Sequence, residues 1–415
     1  MPVSPSSPPH SSHGLAAFGV VGALAILLLV PQLGAPLLID ERVLAFESIK
    51  WLSLDPAAPW TLPLGGSGTW RPLLVYVHRL DAEAAPWVRH LVSAAGYLLL
   101  SLLVLRWLRG RFGASSARFG AAWFAVHGAH VAVGGWVGGR SDLSMGIAAV
   151  LAITAYDRGR VLVAAGWVTV AILCKETAVV LPVVLWLLDG RRVHRGLGAV
   201  TVATLGAFGA SWLMQEVDAG YLPTPGSWAT AVRYLPLFAL EAMVPLFRPI
   251  AVLRPLDALG AIVAAAVAVG LLRRRPSPVW PIAAGVAFLP VVHVLPNDGG
   301  QWYLLLPTIL LAAAWADLHA DGLPKGARCL PLVFLVVGVV WSGQWAAAAR
   351  EVDARVEAAG AVPVEQREHP EEDPLQWPHA GPSLCCGYPY QLYADPRGET
   401  LSPPRPEEAR PSSAP

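Results

Sequence analysis

The sequence predicts an all-α polytopic membrane protein with about eleven transmembrane helices and a long first outer loop. Three observations carry this. The chain of 415 residues is 55% hydrophobic and 14% charged, where soluble domains carry about 25% charged residues. Its apolar runs recur along residues 14–348 at lengths that suit membrane spans. Arginine-rich connections alternate with others whose short members are poor in basic residues apart from Arg140 and Lys175. A net charge of +1 excludes bulk nucleic-acid binding.

Taken in order, residues 1–13 are rich in Pro and Ser, lack the basic start of a signal peptide, and predict a disordered cytoplasmic N-terminus. The run 14–39 is too long for a signal-peptide core and reads as a retained span. Further spans are expected at 87–105, 119–136, 142–156, 160–174, 176–189, 196–214, 256–272, 279–296, 302–318 and 329–347. Together, 14–348 form one transmembrane domain. Loop 40–86 holds an amphipathic piece near 43–54, a Pro/Gly-rich turn region and Trp70-Arg71-Pro72. Within 215–255, the apolar stretch 228–254 is broken by Pro236, Pro245 and Pro249 and reads as an interfacial or re-entrant helix. The tail 349–415, rich in Pro, Glu and Ser, predicts an outer segment without a core.

Charge sets the orientation. The connections near 106–118, 157–160, 189–195, 273–278 and 319–328 carry the arginines, so the positive-inside rule makes them cytoplasmic. The N-terminus is then inside and the C-terminus outside. The excess of Arg over Lys, with abundant Ala and Gly, suggests a GC-rich bacterial genome, and hence the bacterial inner membrane.

The stretch 136–189 is almost wholly apolar but holds two charged clusters, Arg140 with Asp142 and Lys175 with Glu176. A charge at membrane depth costs at least ~2.5 kcal/mol, so these clusters point to a polar recess at the outer face. Arg140 offers a fork that suits phosphate, and Lys175 a point charge. Glu176 orients the group they hold, and Asp142 also favours the N-terminus of its own helix. Asp40 and Glu41 follow the first span. A pair of like charges raises one carboxyl toward the working range of a general base, and which of the two acts stays open. His127 and His130 share a helix face and read first as interior packing groups. The four cysteines, Cys385-Cys386 among them, show no zinc spacing, and with no metal-binding cluster in the sequence neither a metal nor a cofactor is expected.

In order, an acid after the first span, WRPL, FAVH, GGWVGGRSDL and CKETAVVLPVVLWLLD make the sequence resemble GT-C-type glycosyltransferases. The nearest branch is the O-mannosyltransferase-like one that often carries tetratricopeptide repeats; repeats are absent here. The likeness covers roughly 14–320. It implies inverting transfer of a sugar from a polyprenyl-phosphate donor on the outer face, with membrane lipids around it and a glycan, lipid or protein acceptor. By the same resemblance, Asp40 or Glu41 matches the base. Arg71 matches the loop motif, and Arg140, Asp142, Lys175 and Glu176 match the charged clusters, with His127 supporting. The sequence departs from the family at Gly128 (usually Pro), Ala132 (Glu), Ser93 (Asn) and Trp302 (Arg). The alternative reading is a non-catalytic membrane protein, either a glycan or lipid transporter or an inactive relative acting as a scaffold. A transporter predicts related halves and broken midplane helices. The charges instead gather at one face, which favours the enzyme.

Overall fold

The computed structural model describes residues 13–37, 55–61, 69–190, 195–215, 238–245, 277–291 and 301–358, with a few isolated residues between them. Among the described residues every regular element is helical. The helices are α1 (His13–Leu29), α2 (Pro72–Arg79), α3 (Pro86–Arg111), α4 (Ala114–Ala125), α5 (His130–Gly135) and α6 (Arg140–Asp157). They continue with α7 (Val161–Cys174), α8 (Leu181–Leu188), α9 (Arg195–Met214), α10 (Val279–Phe288), α11 (Leu305–Ala320) and α12 (Leu330–Ala358). Three segments, Pro86–Arg111, Gly196–Met214 and Gly326–Glu351, are long and apolar enough to cross a membrane by length and composition. Shorter apolar helices, such as Val161–Cys174 and Leu305–Ala320, stand among them. The expected span 256–272 lies almost entirely outside the described residues, as do residues 292–296 of the expected span 279–296.

Helix α6 is the hub. It packs on α7, which in turn carries α9, and its other side meets α3. Helix α3 supports α1 and α4, and α4 lies along α11. Small residues allow the close approach: Ala148, Ala149 and Ala152 of α6 are almost wholly buried, as are Ala312 and Ala313 of α11. Exposed large apolar side chains, such as Leu162, Leu205 and Leu213, lie on the outer helices, as a lipid-facing surface requires.

The expected single span 119–136 is two helices. Between α4 and α5 the chain unwinds over residues 126–129, and the His127 ring takes up part of the broken ladder. Its Nδ1 accepts from the Ala129 N–H at 3.2 Å, so Nε2 carries the proton toward the Ala242 carbonyl at 3.2 Å. His130 joins Tyr97 at 2.7 Å and Thr308 at 2.7 Å, tying α5 to α3 and α11. The adjacent Gly128 lies against the Trp341 ring of α12, where a Cβ would meet ring carbons at 2.3 Å. The described part of 228–254 is not surface-bound. Phe238, Glu241, Ala242 and Val244 are buried, and the Met243 carbonyl accepts from Trp315 Nε1 at 3.2 Å.

The arginine-rich connections meet at one end. Arg111 grips both carboxylate oxygens of Asp157, and Trp107 Nε1 donates to the same carboxylate at 3.2 Å. The Arg111 guanidinium lies 5.4 Å from the Trp280 ring centroid, and the Asp317 carboxylate accepts from the Ser277 N–H at 3.0 Å. Gly159 takes φ 70°, a left-handed turn that lets α6 reverse into α7. Helix α12 runs to Ala358, past the expected boundary at 348. The segment after Ala346 is rich in Ala with Arg and Glu, all strong helix formers. Its end lies at the opposite pole from the arginines. There Arg350, Asp353 and Ala354 line an open cleft of about 460 Å³ with Leu33–Pro36 and Pro86–Trp87.

Candidate functional site

Two charge networks meet at the N-terminus of α6, beneath α2 of the first loop. In the first, Arg71 donates from Nε to one Glu176 oxygen at 3.0 Å and from Nη2 to the other at 2.8 Å. Lys175 Nζ donates to Asp142 Oδ2 at 2.5 Å and lies 4.3 Å from the centroid of the Tyr303 ring. The two cations and two carboxylates sum to zero charge.

Local sequence places each side chain. Pro72 occupies the first position of α2, where its fixed φ and missing N–H cost nothing. Arg71 therefore stands just outside the helix, with φ −135° and ψ 69°. Burial pulls the Arg71 guanidinium down, but Glu176 more than offsets this, so its pKa is raised above the usual arginine value and the charge is held. Lys175 is extended, at φ −161° and ψ 126°, between α7 and the 3₁₀ turn Glu176–Val180. That break in the helix sends Lys175 to Asp142 and its neighbour Glu176 to Arg71.

The second network holds Arg140. Its Nη1 and Nη2 donate to the two oxygens of Asp81 at 2.7 and 2.6 Å. Its Nε donates to Ser93 Oγ at 2.9 Å, and Nη2 also reaches the Arg89 carbonyl at 2.7 Å. Four contacts occupy most of a guanidinium's five donors. Arg140 was expected beside Lys175 as a phosphate ligand; the structure commits it to Asp81 instead. Arg140 and Asp142 are two residues apart on a helix, so they face roughly 200° apart and join different networks. Nor do they pair with each other across the helix start.

Three buried polar groups in this region have no hydrogen-bond partner among the described residues: Asp142 Oδ1, Trp70 Nε1 and both ring nitrogens of His78. Asp142 Oδ1 is a bare acceptor and Trp70 Nε1 a bare donor, each expensive to bury alone.

Asp40 and Glu41 lie outside the described residues. The described chain before them ends at this pole: the His90 ring nitrogens lie 2.6 Å from the Gly135 carbonyl and 3.0 Å from that of Ala35. His127 stands apart from the charge networks, in the helix break, with a structural set of contacts. Asp81 and Tyr303 are the residues that sequence reasoning did not place here. Nothing in LDAEAAP distinguishes the buried Asp81 from Glu83, which forms an exposed 2.9 Å pair with Arg79.

No family model matches the sequence. Over 200 aligned residues the chain is 33% identical to protein O-mannosyl-transferase Tmtc1 of Drosophila melanogaster, an alignment covering 42% of this chain. The chain spans 23% of that protein's length. The structure is similar to the crystal structure of ArnT from Cupriavidus metallidurans bound to undecaprenyl phosphate, with a TM-score of 0.50 at 14% identity. That similarity covers 92% of this chain and 76% of the other. It establishes the fold alone: a helical, GT-C-like membrane architecture, as the sequence predicts.

Proposed function

We propose that this chain is a membrane glycosyltransferase that moves a sugar from a polyprenyl-phosphate donor to an acceptor hydroxyl, with inversion, on the outer face of a bacterial inner membrane. The observation that carries the reading is the set of Arg71, Lys175, Asp142 and Glu176 under the first-loop helix, of which Lys175 and Asp142 are buried and Arg71 and Glu176 partly exposed. It puts two cations beside unpartnered polar atoms at one pole of a membrane fold. The names of the two similar proteins, an O-mannosyl-transferase and a protein bound to undecaprenyl phosphate, support the donor class.

In this reading Arg71 and Lys175 hold the donor phosphate and stabilise the charge it gains on leaving. The acceptor oxygen forms a bond to the anomeric carbon while the bond from that carbon to the phosphate oxygen breaks. The electron pair goes to the phosphate, and the acceptor proton goes to Asp40, with Glu41 the alternative base. Asp142 faces the sugar with its bare Oδ1. Arg140 acts at one remove, by fixing α2 and the start of α6 through Asp81.

The test is transfer from a radiolabelled polyprenyl-phosphate sugar into membranes holding each variant. Asp40→Asn lowers transfer by about 10²–10⁴ with protein level and donor binding retained, and Glu41→Gln costs much less. Full activity in Asp40→Asn removes that residue as base. An unmodified protein inert toward every donor overturns the enzyme reading.

A further inference from the structure

We infer that Glu176 is a resident competitor in the phosphate subsite: its carboxylate occupies the edge of Arg71 that the donor phosphate takes, and it leaves when the phosphate binds. The inference rests on the donor reading above and adds to it how the subsite is kept neutral when empty and what can open it.

Four observations carry it. The Arg71–Glu176 fork uses Nε and Nη2, the side edge on which carboxylates and phosphates both form paired bonds. The set of four charges is already neutral, so an added phosphate leaves a buried net negative charge unless a carboxylate withdraws. The two pairs differ in access. The Arg71 and Glu176 side chains are 18% and 27% exposed, whereas those of Lys175 and Asp142 are 3% and 2% exposed. The accessible pair exchanges partners through water at modest cost, and the sealed pair does not. Finally, Asp142 Oδ1, on the carboxylate that Lys175 holds, and Trp70 Nε1, next to Arg71 in the chain, are buried without partners among the described residues, so unspent polar groups flank the two cations.

Glu176 is suited to leave. It opens a short 3₁₀ turn directly after the extended Lys175, and its side chain already reaches the surface. Its swing outward needs no helix to move. The consequence is selectivity for a strong anion: a phosphate with two free oxygens competes for the Arg71 edge, and a neutral polyprenol does not. Glu176 therefore opposes donor binding, the reverse of the orienting role its position in the sequence suggests.

The experiment measures binding of polyprenyl phosphate without sugar to the full chain in detergent at low ionic strength, with unphosphorylated polyprenol as control. Glu176→Gln tightens binding by up to about fivefold, the size of one lost competing charge pair, and lowers the thermal midpoint of the empty protein. Glu176→Asp, whose shorter carboxylate withdraws from Arg71, gives a smaller tightening. Arg71→Ala loses binding. Unchanged or weaker binding in both Glu176 variants overturns the inference while leaving the donor reading in place. If the unmodified protein and Arg71→Ala bind polyprenyl phosphate alike, the donor reading itself fails and the inference falls with it.

Discussion

Asp81 and Arg140 lock together through two parallel bonds, with side chains 5% and 2% exposed. The pair stands just past the C-terminal end of α2, and the Arg71–Glu176 fork stands at its N-terminal end. The first-loop helix is thus fastened at both ends, tightly at Asp81 and accessibly at Arg71. The fastening holds the loop over α6 and α7, and it explains why a short helix of 8 residues, too short to be stable alone, is formed at all.

Removing one side of the tight fastening leaves an uncompensated buried charge. Asp81→Asn is expected to destabilise the protein by about 3–5 kcal/mol. Arg140→Met combined with Asp81→Leu removes both of these charges but takes the carboxylate away from the buried Arg89, 4.0 Å from it, and so recovers only part of that loss. Thermal unfolding in detergent checks this, and a double variant as unstable as Asp81→Asn would refute a purely paired role.

Lys175 neutralises Asp142 in the most enclosed part of the site. Lys175→Ala leaves that carboxylate buried alone and is expected to cost about 3–5 kcal/mol of stability together with donor binding. Lys175→Arg restores charge but not shape, because a planar fork does not sit where a compact ammonium does. Partial recovery of binding is the expected reading.

His78 supplies a pH dependence. Burial, and then the charges of Arg140 and Arg89, hold its imidazole well below the usual histidine range, so it is neutral when folded. The unfolded histidine takes up a proton near pH 6.5. The folded state therefore binds fewer protons below that pH, and stability falls as pH drops from about 6.5 toward the folded value, by up to ~1.4 kcal/mol per pH unit. His78→Gln removes this contribution. The difference in unfolding midpoint between the two proteins widens from pH 5 to pH 7, and a constant difference sinks the idea.

The arginine-rich end and the charged site lie at opposite poles of the helices. Reporter fusions after Gly190 and after Ala358 are therefore expected on opposite sides of the membrane, with Gly190 inside. Equal signals from both would mean that an odd number of spans has been miscounted between them.

Long apolar runs made α3, α9 and α12 legible in the sequence, since length and hydropathy alone define them. Charges within apolar stretches likewise marked Asp142, Lys175 and Glu176, because their burial needs a partner. The partners were less legible. Arg140 looked like a neighbour of Lys175, and only the helical rotation between positions 140 and 142 sends it to Asp81. Asp81 itself lies in a polar loop where burial leaves no local signature. The break at 126–129 was hidden by the apolar residues on both sides. The cue was present in His127-Gly128, one ring able to replace backbone hydrogen bonds and one residue without a side chain.

Gly128 and Trp341 are 213 positions apart in the chain (341 − 128) and share one space, since any Cβ at 128 overlaps the indole. The proline that the resemblance to the family leads one to expect here cannot simply be introduced. Gly128→Pro collides with the ring, whereas the same change made together with Trp341→Ala has room. The two sites can drift only as a couple. A substitution scan of single residues would score position 128 as intolerant, and a scan of pairs would find the combination open.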